Sequence, residues 1–85
     1  MTVTDGSTSR LERAYDAYAD MLYRLALSQL NHSEDAEDAV QDVFERVMTR
    51  GLRFASEEHE KASLIVIAAN LCKNRLRRQK FFVKM

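Results

Sequence analysis

The amino-acid sequence predicts an all-α fold, a small bundle of three to four helices. Apolar residues recur every three or four positions in three successive segments, the spacing that gives a helix one buried face. β-Branched residues never alternate with polar residues at the period of two that a half-buried strand requires. The 85 residues are 46% hydrophobic and 31% charged and include no proline. They therefore predict one domain with a modest core.

The first helix is predicted over residues 11–30. Ser9 prepares its start, and its apolar positions lie on one side: Leu11, Tyr15, Tyr18, Leu22 and Leu25. The small polar residues before it predict a disordered tail over residues 1–9. The helical domain is then expected over residues 10–80, with residues 81–85 as a truncated linker or tail.

The second helix is predicted over residues 34–50. Either Asn31, with Glu34 three residues later, or Ser33 can cap its N-terminus. Acidic residues fill its first turn and basic residues its last, which is the arrangement that the helix dipole favours. Gly51 is expected to end the helix in the left-handed conformation.

The third helix is predicted over residues 57–80, with Ser56 as its cap. One face is apolar and should contact the other helices: Leu64, Ile67, Ala68, Leu71, Cys72 and Leu76. The opposite face, which we call the basic stripe, steps by three or four: Ser63, Val66, Asn70, Lys73, Arg77 and Lys80. Cations along such a face suit a nucleic-acid backbone, since each can neutralise a phosphate and release counterions. A solvated basic face is the alternative.

The formal net charge of zero conceals a strong asymmetry. Residues 1–60 carry 13 acidic and 6 basic side chains, whereas residues 61–85 carry 7 basic side chains and no acidic one. Such asymmetry indicates a polyanionic partner for the basic end and a different partner for the acidic part. The alternative is that the two parts attract each other within one fold.

Several classes of protein are excluded. The single cysteine, Cys72, rules out a disulfide scaffold and a cysteine metal cage and is expected in the core. His32 and His59 lack ligands at metal-binding spacing, and no glycine-rich phosphate loop occurs. We expect no enzymatic activity, metal or cofactor. The longest apolar run, residues 64–69, is too short to insert into a membrane, so a cytoplasmic protein is expected.

Three segments carry a family resemblance. They are LYRLAL (residues 22–27), DAEDAVQDVF (residues 35–44) and KASLIVIAANLCKNRLRR (residues 61–78). Together they resemble the region-two domain of bacterial RNA polymerase sigma factors, and within these the extracytoplasmic-function (ECF) group. The resemblance covers residues 15–78.

The resemblance implies that the second helix docks on the coiled coil of the largest subunit of core RNA polymerase. The matching positions are Asp38, Gln41, Asp42, Phe44 and Met48. The alternative for the two aspartates is a solvated face with a weak pair between Asp42 and Arg46 at i,i+4 spacing.

The resemblance also implies that the third helix binds the single-stranded, non-template strand of the promoter minus-ten element. The matching positions are Lys61, Asn70, Lys73, Arg77 and Lys80. The connection before this helix is implied to hold an extruded base: Arg53, Phe54, Ala55 and Ser56. Phe54 could stack on that base; alternatively, it closes the core beneath the connection.

The sequence departs from the family pattern in three respects. Ser63 stands where the family typically has a bulky aromatic residue, and Val66 stands where it commonly has a base. No helix-turn-helix domain for the minus-thirty-five element follows Met85, so an excised domain or a truncated gene product is expected. The alternative function is a helical interaction module that binds polymerase or an anti-sigma factor and never contacts DNA.

Overall fold

Three helices make up the part of the chain that the structure describes. A computed structural model describes residues 6–83, with side-chain accessibility for residues 11–78. Helix α1 spans Gly6–Leu30, α2 spans Ser33–Arg50 and α3 spans Glu57–Val83. Each helix packs against the other two, and residues 6–83 contain no strand. The predicted all-α fold is confirmed, with three helices in this range.

Helices α1 and α3 extend beyond their predicted bounds. Residues 6–9, predicted as part of a disordered tail, form the first turn of α1. Small polar residues fit this position because the first four N–H groups of a helix have no intrahelical acceptor. No glycine or proline stops α3 at residue 80, and its backbone continues to Val83. The remainder of both predicted tails lies outside the described residues.

The connection between α1 and α2 corrects the predicted cap. Asn31 adopts the left-handed conformation, with φ of 63°, and donates its N–H to the Leu27 carbonyl at 2.8 Å. Asparagine tolerates this conformation, so Asn31 ends α1. His32 occupies the N-cap position of α2 in an extended conformation, without a capping bond from its side chain. Ser33 is already helical, and neither predicted residue caps α2.

Gly51 ends α2 as predicted. Its φ of 60° and ψ of 39° lie in the left-handed region, which glycine adopts without a steric penalty. The Gly51 N–H bonds to the Met48 carbonyl at 3.2 Å, and the Leu52 N–H bonds to the Val47 carbonyl at 3.0 Å. These two bonds form a Schellman motif, which turns the chain away from α2 and into the connection before α3.

The core lies between the three helices in two adjoining clusters. The larger cluster joins all three helices: Ala14, Leu22, Val40, Val43, Phe44, Leu64, Ala68 and Leu71. The smaller cluster is rich in alanine: Ala26, Leu30, Ala36, Ala39 and Cys72. Small side chains allow close approach of helix backbones, while Leu22 and Leu64 fill the larger space and are almost fully buried.

The packed face of α3 is the predicted apolar face. Leu64, Ala68, Leu71 and Cys72 are buried, and Ile67 and Leu76 are half-buried. The polar edge of α3 is thereby fixed toward the outside, since a helix that buries one face exposes the opposite one. Within the described residues, no helix is both long enough and apolar enough to cross a membrane.

Candidate functional site

One exposed face of α2 holds polar side chains at one-turn intervals. Asp38, Gln41 and Met48 are exposed, and Met48 exposes 60% of its surface. Glu45 lies between Gln41 and Met48 at helical spacing and is exposed as well. We call these four residues the docking face. Sequence reasoning missed Glu45, although its distance of four residues from Gln41 places it in the same row.

A shallow groove runs beside the docking face, between α1 and α2. Its lining combines apolar and polar side chains: Leu11, Tyr15, Gln41, Asp42, Phe44, Glu45 and Met48. The rings of Tyr15 and Phe44 pack with centroids 5.0 Å apart and an interplanar angle of 55°. Tyr15 remains 45% exposed. The groove therefore offers aromatic surface next to carboxylates, which the sequence did not reveal because Leu11 and Tyr15 come from another helix.

Two of the five residues predicted on the polymerase-binding surface, Phe44 and Asp42, line the groove but are less accessible than the other three. Phe44 is only 6% exposed and belongs to the core, because its position is in phase with the buried valines of α2. Asp42 is half-buried, and its Oδ2 atom accepts a hydrogen bond from Nη2 of Arg75 at 2.6 Å. The predicted pair between Asp42 and Arg46 is thus replaced by a pair that joins α2 to α3.

The basic stripe of α3 is accessible. Asn70, Lys73 and Arg77 are exposed in one row, while the side chain of Lys80 lies outside the described residues. The ion pairs found among residues 11–78 are Asp20 with Arg24 and Asp42 with Arg75. Arg75 is therefore paired with the acidic part of the chain. Among residues 11–78, the stripe cations Lys73 and Arg77 have no carboxylate partner.

Lys61 lies apart from the basic stripe. It is exposed, but it precedes Asn70 by nine residues, which is about two and a half helical turns. This spacing puts Lys61 on the opposite side of α3 from Asn70. The structure therefore brings Asn70, Lys73 and Arg77 together and does not bring Lys61 into their row.

Val66 and Ser63, the two departures from the family pattern, lie on the side of α3 that carries the basic stripe. Val66 is 58% exposed, and Ser63 is half-buried. Their positions interrupt the row with an apolar methyl surface and a small hydroxyl group. The part of the stripe between residues 63 and 66 can thus contact a flat or apolar surface, whereas the part from residue 70 onward carries the charge.

The connection between α2 and α3 is held by side-chain hydrogen bonds. The Ser56 hydroxyl accepts the His59 N–H at 3.1 Å, so the predicted cap of α3 is confirmed. The His59 Nδ1 atom accepts the Ala55 N–H at 2.9 Å. This reciprocal arrangement resembles a capping box, with histidine in the position that glutamate or glutamine usually occupies.

Phe54 contacts His59 rather than the core clusters. The two rings pack edge to face, with centroids 5.6 Å apart and an interplanar angle of 77°. Phe54 is half-buried, whereas Arg53, Ala55 and Ser56 are exposed. The expectation that Phe54 closes the core is therefore wrong, because the Gly51 turn carries this segment past the end of α2.

Two groups near α3 have shifted pKa values. Partial burial, followed by the carboxylates of Glu60 and Glu57, raises the pKa of Tyr18. These carboxylates thus lie toward α1, away from the basic stripe. Burial also raises the pKa of the Cys72 thiol, and the charge of Arg75 opposes this shift only in part. Cys72 is free and 1% exposed, which confirms it as a core residue.

The exposed side chains described above form three separate surface features. Among residues 11–78, no three His, Cys, Asp or Glu side chains are grouped so that they could hold a metal ion. The features that remain are the docking face with its groove, the basic stripe and the aromatic connection. Each is an exposed set of side chains that a macromolecule can contact.

Comparison with known proteins identifies one family. The family model of sigma-70 region 2 matches residues 14–82. The match includes the docking face, the connection before α3 and the whole basic stripe. No curated protein and no solved structure matches the chain.

Proposed function

Because the chain belongs to the sigma-70 region 2 family, we propose that it docks on core RNA polymerase through α2 and binds single-stranded promoter DNA through α3. The family serves polymerase binding and promoter recognition in transcription initiation. The proposal assigns each of these two tasks to a different helix. It requires binding, not catalysis, and it places the chain in the bacterial cytoplasm with the polymerase.

The docking face is proposed to contact the coiled coil of the largest polymerase subunit. Asp38 and Glu45 present carboxylates and Gln41 presents an amide on one side of α2, which suits cationic side chains on a partner helix. Met48 adds an exposed, adaptable apolar surface. Phe44 and Asp42 are assigned supporting roles, since Phe44 fills the core and Asp42 binds Arg75.

The basic stripe is proposed to follow the non-template strand of the minus-ten element. Lys73 and Arg77 neutralise phosphates, and Asn70 can bond to a base edge. Lys80 continues the row by its sequence position. Lys61 is assigned a separate contact, because it lies on another side of α3.

The connection before α3 is proposed to hold an extruded base. Unstacking a base costs a few kcal/mol, and stacking on an aromatic side chain offsets about 1–3 kcal/mol of this cost. Phe54 offers such a ring, because it packs on His59 outside the core clusters. Arg53, Ala55 and Ser56, the other residues proposed for this contact, adjoin Phe54 in the sequence.

One observation carries the proposal for DNA. The chain has 13 basic and 13 acidic side chains, yet among residues 11–78 the ion pairs leave Lys73 and Arg77 without a carboxylate. A protein stabilised by internal charge attraction would pair these cations. Unpaired cations in one row are what a phosphate backbone requires.

Salt-dependent binding to single-stranded DNA tests this proposal. About three or four phosphate contacts to a single strand give a log–log slope near −2 to −3. Replacing Lys73 and Arg77 by alanine should flatten the slope by about 1 to 1.5. A control that replaces Arg13 and Arg46, which are exposed on α1 and α2, removes the same charge and should leave most of the slope. Equal effects in both variants would contradict the stripe as the binding surface.

The exposed Val66 favours a second candidate function. An apolar residue in the middle of the row is also compatible with a helical interaction module that binds polymerase or an anti-sigma factor without contacting DNA. This module would use the α1–α2 groove, whose Tyr15 and Met48 are exposed. The absence of measurable DNA affinity at low salt, together with retained polymerase binding, would favour it.

A further inference from the structure

His59 lies in line with the basic stripe. It precedes Ser63 by four residues, and the steps from His59 through Val66 to Asn70 continue the pattern of three and four. On a helix with 3.6 residues per turn, His59 and Arg77 lie in the same angular position, since they are about five turns apart. The exposed ring of His59 thus forms the end of the stripe that is nearest to Phe54.

The hydrogen bond to Ala55 fixes the tautomer of His59. A neutral imidazole has one donor nitrogen and one acceptor nitrogen. Nδ1 accepts the Ala55 N–H at 2.9 Å, so the ring hydrogen is on Nε2. The backbone therefore selects the form in which the Nε2 atom is a hydrogen-bond donor.

The adjoining Phe54 ring gives this donor an aromatic neighbour. Phe54 and His59 pack edge to face, so the edge of one ring contacts one face of the other. The remaining three faces of the two rings are not used in this contact. Phe54 is half-buried and His59 is exposed, so the pair retains accessible aromatic surface. A donor beside such a surface is suited to a nucleobase, which combines a flat ring with acceptor atoms on its edge.

We propose that His59 is a specificity-determining residue that donates Nε2–H to an acceptor atom of an unstacked nucleobase held against the Phe54 and His59 rings. The inference rests on the proposed function and adds to it a second base contact, separate from the one assigned to Asn70. The phosphate contacts of Lys73 and Arg77 position the strand. His59 then distinguishes a base from a bare backbone.

The tautomer is tested first by long-range proton–nitrogen NMR of the histidine rings at about pH 8, where free imidazole is neutral. His59 should show the pattern of a protonated Nε2 and an acceptor Nδ1. His32 serves as an internal reference, because its side chain makes no capping bond. A protonated Nδ1 in His59 would overturn the inference.

Base selectivity is tested with labelled oligo-dT of about 12 nucleotides and an abasic strand of equal length and charge. The measured quantity is the ratio of their affinities, in which the phosphate contribution cancels. Loss of one net hydrogen bond corresponds to about a 3- to 10-fold change. The ratio should fall by this factor in His59→Ala and stay unchanged in His32→Ala.

Two further variants separate the donor from the cap. His59→Glu keeps a capping acceptor at this position but has no donor, whereas His59→Gln keeps both. We expect a reduced ratio for His59→Glu and a ratio near that of the wild type for His59→Gln. A wild-type ratio in His59→Glu would overturn the inference and leave the proposed function intact. Failure of the wild-type chain to bind either strand would overturn both.

Discussion

The ion pair between Asp42 and Arg75 is the polar link between α2 and α3 in the described part of the chain. Arg75 exposes 25% of its side chain and Asp42 exposes 41%, so water screens the pair only in part. Removing the carboxylate charge by Asp42→Asn should destabilise the fold without changing the docking face. This outcome distinguishes a structural Asp42 from one that contacts the polymerase directly.

The expected size follows from the geometry. At 2.6 Å between Nη2 and Oδ2, the Coulomb attraction is about 6 kcal/mol at an effective dielectric constant of about 20. Desolvation and the ordering of two side chains offset most of it, and exposed pairs contribute up to about 1 kcal/mol. Because this pair is partly buried, its contribution should lie at the upper end of the range for exposed pairs, and we expect a coupling energy of about 1 kcal/mol. In a domain of this size that corresponds to about 4–8 °C in Tm.

A double-mutant cycle isolates this coupling. Urea unfolding is measured for the wild type, Asp42→Asn, Arg75→Gln and the double variant. Each single variant should lower the free energy of unfolding, and the double variant should be less destabilised than the sum of both. A coupling energy below about 0.3 kcal/mol, the error of additivity, would refute the argument. The polymerase affinity of folded Asp42→Asn should change little.

Three further predictions concern stability and are measured by urea unfolding. Ser56→Ala should cost about 1 kcal/mol because it removes the α3 cap, whereas Ser33→Ala should cost little, since Ser33 does not cap α2. Gly51→Ala should cost about 1–2 kcal/mol because alanine is strained at a left-handed φ, although nothing lies within contact of the added methyl group. Gly51→Asn should cost less, since asparagine tolerates this conformation. Equal costs for the two variants would contradict this reasoning. Because burial raises the pKa of Cys72, the folded chain keeps a proton that the unfolded chain releases, so the free energy of unfolding should decline as pH rises above 9.0. Cys72→Ala should remove that part of the decline, and an identical pH dependence would show that the thiol does not contribute.

Periodicity predicted the helices and the core because both depend on local spacing. Leu64, Ala68 and Leu71 recur at helical intervals, and they are buried where α3 meets the other helices. Gly51 was predictable for the same reason, since a left-handed helix end is a property of one residue and its neighbours. The cap of α2 was not predictable in this way, because Asn31 lies between two helices and the sequence does not show that it ends α1 rather than capping α2.

Contacts between helices could not be predicted from spacing. Arg75 lies 33 residues from Asp42, and only the packing of α2 against α3 selects it over Arg46. The Tyr15 contribution to the groove has the same origin, since it reaches Phe44 from α1. The role of His59 depends on a hydrogen bond within the connection, although its position four residues before Ser63 was visible in the sequence.

Binding to core RNA polymerase tests the central claim most directly. The wild-type chain is compared with a variant that carries Asp38→Ala and Gln41→Ala, and with a control that carries Asp16→Ala and Gln29→Ala. The control removes the same two kinds of side chain from exposed positions on α1. We predict micromolar or tighter binding by the wild type and the control, and at least a tenfold loss, about 1.4 kcal/mol, in the docking-face variant. No binding by the folded wild-type chain, or equal binding by all three proteins, would contradict the account.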